Sequence, residues 1–411
     1  PLPPPGEGTE PVDTVETIPT PEGAAEEAPP ISLIDVIVSV EQSYPLLRAA
    51  VLEYQITEGK LLAAKGEFDL LLKTENETTP AGFYETYRNK VKLEQPTYKG
   101  GAVYGQYRIG RGFFEPWYKE RQTNDGGEFK VGFEAALLKN PHLDPRRAAI
   151  FQANLDRQAV DPAIGIQLLD FTRFAAQAYW NWVAAARAYD AQQELLRLAT
   201  QRVGQIEERV KGGDLEEIAR IDNDRLITSR RAKLIEAERK IQAAAIKLSL
   251  YYRDPQGVPI VPSVSQAPLD FPAAQSLDEG QSQAAIAQAM ADRPELNEIE
   301  IQLEMADLDL AAARNKLLPE LFAVMEASKD VGAPSSSKGD KTPFKLEAGL
   351  YGKVPLQRRE AHGKVMAAQG KISQLQVKRQ FVVDKITAQV QDAVSAMNRA
   401  AERIEQATAN L

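Results

Sequence analysis

The sequence predicts a mainly α-helical fold with a smaller β part, built from two tandem structural repeats and completed only in an oligomer. Three observations predict it. Apolar residues recur every seven positions over long stretches, as they do in coiled-coil helices. Shorter segments alternate apolar and polar residues, as half-buried strands do. The same order of helix, strand, strand and long helix occurs twice along the chain.

Composition narrows the possible function classes. The 411 residues include no cysteine and only two histidines, so a thiolate metal site is excluded and a histidine site has little material. We expect neither a cofactor nor a metal ion. Residues 1–30 hold seven acids and no Lys or Arg, so they carry most of the formal net charge of −9. The rest of the chain is nearly neutral, which argues against a nucleic-acid partner.

The first predicted repeat covers residues 31–252 and follows a disordered, acidic, Pro-rich tail at 1–30. It begins with a helix at 31–66, which Pro45 interrupts. A β-hairpin is predicted at 67–138, where the apolar period changes from helical to alternating.

A long helical hairpin at 160–252 completes the first repeat. Heptad-spaced apolar and small residues continue on both sides of Lys211-Gly212-Gly213-Asp214, which breaks the pattern. A glycine can take the left-handed dihedrals that end a helix. We therefore expect two long antiparallel helices joined by a turn.

The second predicted repeat covers residues 283–411 and follows a Pro-rich linker at 253–282. It contains a helix, a β-hairpin at 320–354 and a long helix. Arg293-Pro294-Glu295-Leu296 aligns without gaps on Tyr44-Pro45-Leu46-Leu47 of the first repeat.

The number of predicted strands indicates that several copies of the chain assemble. Two strands per repeat cannot stand alone, and four per chain cannot close a barrel. No apolar run approaches the roughly 20 residues of a membrane-spanning helix. In a bilayer, strands must close into a barrel because each unpaired backbone group costs several kcal/mol. An oligomer would satisfy this requirement.

These residues resemble the TolC-like outer-membrane factor family over about 31–411. The matching segments are Tyr44-Pro45-Leu46-Leu47-Arg48-Ala49-Ala50, Arg293-Pro294-Glu295-Leu296, Leu317-Leu318-Pro319-Glu320-Leu321, Val354-Pro355-Leu356 and Val210-Lys211-Gly212-Gly213-Asp214-Leu215. Each is weak alone, and their order gives the resemblance its specificity.

The resemblance implies a homotrimer with a twelve-stranded barrel in the outer membrane of a diderm bacterium, four strands per chain. It also implies a helical α-barrel that extends into the periplasm. Such a protein is a passive exit duct for efflux or type I secretion, and it docks a periplasmic adaptor coupled to an inner-membrane transporter. It has no catalytic site. Neither the transported substrate nor the pump follows from the resemblance.

The chain departs from the family pattern in three places. The helix-to-strand junction of the first half has Gly66 where the second half has Pro319. The aromatic, Gly-rich stretch 83–127 is longer than expected and suggests an extra β-hairpin. The chain also stops at Leu411, before the second tip of the family, so the second repeat is expected to be truncated. No aperture-closing residues are carried over for this reason.

The alternating segments supply the candidate residues of the barrel. Four charged positions are predicted to face a water-filled lumen: Lys130, Glu134, Lys345 and Glu347. Six apolar positions are predicted to face lipid: Phe129, Val131, Phe133, Phe344, Leu346 and Leu350. The alternative is a soluble β-sandwich with its polar side outward. The repetition of the pattern favours the membrane barrel.

The helical turn supplies the second candidate site. Lys211, Gly212, Gly213, Asp214 and Leu215 are predicted to form an adaptor-docking tip, although every helical hairpin needs a turn of some kind. Asp222 and Asp224 nearby are better explained as a solvated helix face than as metal ligands.

Two further groups of residues each allow two interpretations. Six aromatic residues could form an interfacial girdle or the core of an extracellular loop: Tyr104, Tyr107, Phe113, Phe114, Trp117 and Tyr118. His142 and His362 follow a proline in each repeat. A pH role is conceivable there, but coincidence in polar turns is favoured.

The sequence leaves two alternative functions, a periplasmic coiled-coil adaptor and a purely structural coiled-coil protein. Strand placement separates them from a duct, because an adaptor would place its strands in small soluble domains around one hairpin. An enzyme is not expected, because the sequence holds no phosphate-binding loop, no HExxH and no Ser-centred elbow.

Overall fold

The computed structural model describes residues 29–116, 121–139, 143–268, 271–335 and 344–409. The predicted tail lies outside these ranges except for its last two residues, as do Trp117, Tyr118 and His142. The chain divides into two compact units. Among the described residues, the first holds 29–39, 175–254, 258–268 and Phe271, and the second holds 40–116, 121–139, 143–174, 255–257, 272–335 and 344–409.

The helices occur in two groups along the chain. Of the nine α-helices in the described residues, six precede the Pro-rich linker: α1 (Leu33–Ser43), α2 (Pro45–Val51), α3 (Glu53–Gly66), α4 (Pro145–Gln158), α5 (Val160–Lys211) and α6 (Glu217–Leu248). Three follow it: α7 (Glu279–Asp292), α8 (Pro294–Asn315) and α9 (Arg359–Ala409). The 52 residues of α5 make a helix about 80 Å long.

Prolines set several of the helix boundaries. Tyr44 and Arg293 have extended dihedrals, and each is followed by a proline that opens the next helix. The proline ring disfavours helical dihedrals in the preceding residue, so each break is encoded locally. Asp144 precedes the proline of α4, and its carboxylate accepts a hydrogen bond from the Arg147 backbone N–H at 2.9 Å.

The first unit packs around α5 and α6. Tyr179, Trp182 and Val183 are almost fully buried on α5, and Leu248 is fully buried on α6. The Tyr179 hydroxyl donates to the carbonyl of Ile31 at 3.1 Å. Burial raises the pKa of Tyr179, and the charge of Asp35 adds to the rise.

The second unit contains a helical layer and the sheet. Helix α4 contacts α3 and α8, and α8 contacts α9. Ile299, Leu375 and Ile386 are almost fully buried in this layer.

The six strands of the described residues form one antiparallel meander in chain order. They are β1 (Leu71–Thr79), β2 (Thr86–Pro96), β3 (Gly101–Gly112), β4 (Glu128–Ala136), β5 (Glu320–Asp330) and β6 (Lys345–Lys353).

The extra β-hairpin suggested for 83–127 is present as β2 and β3. Because it pairs within the sheet, the prediction of four strands is wrong for the sheet. The segment predicted as one hairpin at 67–138 contains four strands, because β2 and β3 lie within the aromatic, Gly-rich stretch 83–127. The turn between them uses Gly100 and Gly101, with φ of 81° and 92°, dihedrals that glycine adopts without a Cβ clash. Four glycines interrupt the alternation of β3, whereas β2 contains none.

Candidate functional site: two faces of the sheet and a helical tip

One face of the sheet is lined by charged side chains on every strand. The pairing register and the alternation of side chains assign residues to this face. We call it the charged face, and its members include Lys73, Glu75, Glu77, Arg88, Lys90, Lys92, Glu94, Arg108, Glu128, Lys130, Glu134, Glu326, Lys345 and Glu347.

Opposite charges on this face pair across neighbouring strands. The Lys90 Nζ lies 2.7 Å from a Glu75 carboxylate oxygen, and Lys130 Nζ lies 2.8 Å from Glu326. Arg88 pairs with Glu77, and Arg108 pairs with Glu128. Pairs of this kind each contribute roughly 0.2–1 kcal/mol to a sheet. The result is a hydrophilic surface of both signs rather than a field of one sign.

The charged face is also concave. A pocket of about 830 Å³ opens on it and is lined by residues from all six strands, including Glu77, Lys90, Arg108, Glu128 and Lys345.

A tyrosine fills the centre of the charged face. Tyr104 lies opposite Gly132, and a Cβ added to Gly132 would come within 2.7 Å of the Tyr104 ring. The Tyr104 hydroxyl donates to Glu326, and the Lys92 Nζ lies 4.0 Å from the ring centroid. The ring therefore covers a strand position that has no side chain of its own.

The opposite face, which we call the apolar face, exposes large apolar side chains. Val131 is 61% exposed and Leu350 is 70% exposed. Single exposed apolar residues are ordinary, but a contiguous patch marks a contact surface. Its members include Leu72, Val91, Leu93, Val103, Tyr107, Ile109, Phe129, Val131, Phe133, Met325, Leu346 and Leu350. Among its polar members, Asn76 and Asn89 hydrogen bond to each other.

The structure brings the candidate barrel residues together as the alternation suggested. Lys130, Glu134, Lys345 and Glu347 lie on the charged face, and Phe129, Val131, Phe133, Leu346 and Leu350 lie on the apolar face. Phe344 directly precedes β6 and is exposed. Which face meets lipid and which meets water stays a prediction.

The sequence reasoning missed the contributions of β1, β2 and β3. Arg88, Lys90 and Lys92 alternate with Asn89 and Val91 in β2, so a period-2 signal was available.

The candidate tip is a turn closed by backbone hydrogen bonds. The N–H groups of Asp214 and Leu215 donate to the carbonyl of Arg209 at 2.9 and 3.3 Å. Gly213 has a φ of 82° in this turn, a conformation typical of a helix C-terminus. Lys211, Gly212, Gly213 and Asp214 are exposed, and Leu215 is half-buried.

The tip is followed by a polar part of α6. Asp222 and Asp224 each lie within ion-pair reach of an arginine on the same helix, at 3.7 and 3.5 Å. Across the described ranges, no group of three or more His, Cys, Asp or Glu side chains could hold a metal ion.

The six aromatic residues do not form one group. Tyr104 lies on the charged face, whereas Tyr107 lies on the apolar face with its ring 4.9 Å from that of Phe129. Phe113 packs beyond the strand ends with Phe83 and Tyr84. Phe114 is buried there, and Trp117 and Tyr118 lie outside the described residues.

His362 is exposed in the first turn of α9. No helix in the described part of the chain is both long and apolar enough to span a membrane.

Comparison with known proteins gives the fold its context. No protein-family model matches the chain, and no curated protein matches it. Among solved structures, the chain is similar to the open state of the MtrE outer membrane channel of Neisseria gonorrhoeae. That match has 18% identity and a TM-score of 0.57, and it covers 91% of this chain and 74% of MtrE.

Two further channels show the same likeness. The VceC outer membrane protein of Vibrio cholerae matches with 14% identity and a TM-score of 0.57, over 91% of this chain and 80% of VceC. The CmeC outer membrane channel of Campylobacter jejuni matches with 13% identity and a TM-score of 0.57, over 92% of this chain and 73% of CmeC. The chain therefore has the fold of these outer membrane channels, and the resemblance inferred from its sequence is confirmed for the fold.

Proposed function

We propose that this chain is a subunit of a trimeric exit duct in the outer membrane of a diderm bacterium. The duct extends into the periplasm, where it docks an adaptor protein coupled to an inner-membrane transporter for efflux or type I secretion. One observation carries the proposal: a sheet with one charged and one exposed apolar face, in a chain that shares the fold of outer membrane channels.

The two faces suit two different solvents. Lipid accepts the apolar face without the cost of exposing it to water. Water fills the concave charged side, where Lys130, Glu134, Lys345 and Glu347 face the lumen. Because positive and negative groups pair across neighbouring strands of this surface, it conducts hydrated solutes without a strong preference for either charge. Transport through it is passive, since the substrate is delivered by the inner-membrane transporter.

The tip provides the docking surface in this proposal. The left-handed Gly213 fixes the direction in which the turn leaves α5, and the exposed Lys211 and Asp214 offer charges of both signs. Leu215 adds a half-buried apolar contact. A polar surface with one apolar contact suits reversible assembly with a partner.

Fractionation and electrical recording test the duct itself. The full chain, expressed in a diderm host, is expected in the outer-membrane fraction as a trimer that resists dissociation by detergent. Purified trimers are expected to produce stable conductance steps in a planar lipid bilayer. A protein that stays monomeric in the aqueous phase and never conducts would overturn the proposal.

A tip variant tests adaptor docking. Replacing Gly213 and Leu215 with arginine is expected to abolish transport while the trimer remains, because the arginines change the surface that meets the adaptor. The matched control replaces Gly204 and Gln205, two turns earlier on α5, where both residues are exposed and a Cβ on Gly204 meets nothing within 4 Å. Unchanged transport in the tip variant would remove the docking role.

The two alternative functions explain less of the molecule. An adaptor or a structural coiled-coil protein would use the long helices. Neither gives a role to the exposed apolar face of a six-stranded sheet.

A further inference from the structure

We propose that the duct closes as an eighteen-stranded barrel, in which β1 of one copy pairs with β6 of the next. The inference rests on the proposed trimer. It differs from the twelve strands that the resemblance implies, because each chain provides six strands in one continuous sheet. The occupant of each sheet edge is a second copy of this chain.

The inserted strands β2 and β3 have the properties of barrel strands. They contain 11 and 12 residues, and the other four strands contain 9 to 11. A tilted strand needs about 9–11 residues to cross a bilayer. Val91, Leu93, Val103 and Ile109 lie on the same face as Val131, so the inserted hairpin continues the apolar face.

The two edges of the sheet are equivalent in length and opposite in direction. β1 and β6 contain nine residues each, and every residue of β1 is exposed. Within the described sheet, each of them pairs on one side only. An open edge is not tolerated in lipid, because its backbone N–H and C=O groups would lack partners. The other edge strand of a second copy provides a partner of equal length and opposite direction.

The register within the chain shows how two copies fit. One row of paired residues crosses the whole sheet: Leu72, Leu93, Gly105, Val131, Ala327 and Leu346. If the two edge strands overlap over all their residues, Leu71 lies opposite Lys353 of the next copy. Leu346 of that copy then lies opposite Thr78, whereas the row within one chain joins Leu346 to Leu72, so the shift is six residues.

This shift is what a closed barrel requires. A shift of six residues over six strands corresponds to a strand tilt of about 35°, from the usual rise per residue and strand spacing. Membrane barrels have tilts of about 35–45°. An even shift also keeps Glu75 and Glu347 on one face of the barrel. The tilt is the same for any number of copies, so the number three comes from the proposed trimer.

The consequence is a wide barrel. Eighteen strands at this tilt give a backbone diameter of about 34 Å, compared with about 23 Å for twelve. The charged face then lines a lumen that is about half as wide again as a twelve-stranded one.

Electron cryomicroscopy of the full chain in lipid nanodiscs tests the strand number. The expected result is a threefold-symmetric barrel with eighteen strands and β2–β3 in its wall. A threefold barrel of twelve strands, with the hairpin outside it, would overturn the inference and leave the exit duct intact. A ring of two copies would also overturn it. A particle with no membrane barrel would instead contradict the proposed function.

Cysteine cross-linking tests the register. The chain contains no cysteine, so the double variant Asn76→Cys, Ala348→Cys introduces the only thiols. These positions lie opposite each other between copies, and within one chain they lie on the two edge strands. Oxidation is expected to produce covalent dimers and trimers on a non-reducing gel.

The control pair is Asn76→Cys with Ala327→Cys, because β5 has neighbours on both sides and cannot reach another copy. It should give no cross-linked product. If the first pair also fails to cross-link within purified trimers, the proposed register is wrong.

Discussion

The β parts of the two halves enter and leave the helical layer in the same way, but they differ in width. The first half places four strands between α3 and α4, and the second places two between α8 and α9. An inserted hairpin adds one strand in each direction, so β4 still runs back toward the helices. We infer from this difference that the fold can widen its sheet in steps of two strands without changing the direction of a helix.

Removing the inserted hairpin should have the largest effect, because it changes the width of the barrel. β1 ends at Thr79 and β4 begins at Glu128, both at the same end of the sheet, so an Asn-Gly turn can replace residues 80–127. Each half would then have two strands. The expected product is a trimer with a narrower barrel and a smaller single-channel conductance than the wild type.

Conductance steps and electron micrographs of purified trimers would measure this change. A deletion variant with unchanged barrel width would show that β2 and β3 lie outside the barrel.

A charge on the apolar face should have the next largest effect. Val131→Arg places a charge at a position that is 61% exposed and that we propose to face lipid. The expected loss is about 2–4 kcal/mol in the free energy of unfolding from vesicles, measured by urea titration. Gln106→Arg, on the charged face, is the matched control and should cost much less. Equal losses for both variants would contradict the assignment of the faces.

In each half a strand glycine lies beside a tyrosine ring, but the two rings are held differently. Replacing these glycines should have the smallest effect of the three changes on the stability of the protein. Tyr104 covers Gly132 from the neighbouring strand and is held by Glu326 and Lys92, whereas Gly349 lies beside the exposed Tyr351 of its own strand. Gly132→Ala is expected to cost about 1–3 kcal/mol, because the Tyr104 ring must shift away from its contacts with Glu326 and Lys92. Gly349→Ala should cost less than about 1 kcal/mol, because the exposed Tyr351 can rotate.

The same urea titration measures both variants. Gly105→Ala is the control for adding a methyl group in a strand, since its Cβ would meet nothing within 4 Å. If Gly349→Ala lowers the free energy of unfolding as much as Gly132→Ala does, the contact between Tyr104 and Gly132 is not the cause of the loss.

Local patterns determined most of the helices. Heptads predicted α5 and α6, Pro45 marked a helix boundary, and the paired glycines marked the turn that Gly213 closes. The break between α7 and α8 at Pro294 was not predicted, although the same proline rule applies there. These features depend on neighbours in the sequence, so they could be read without knowledge of the fold. The same holds for the alternation in β4 and β6, which separated Lys130 from Val131 and Lys345 from Leu346.

The width of the sheet and the composition of the charged face depend on pairing between strands that are distant in the sequence. The stretch 83–127 suggested an extra β-hairpin, but its sequence does not show that this hairpin pairs with β1 and β4 and so becomes part of the sheet. Arg88 meets Glu77, and Tyr104 covers Gly132, only because the register aligns residues from separate strands. Strand pairing is a non-local interaction, so the sequence determined the elements of this protein and the structure determined which of them share a surface.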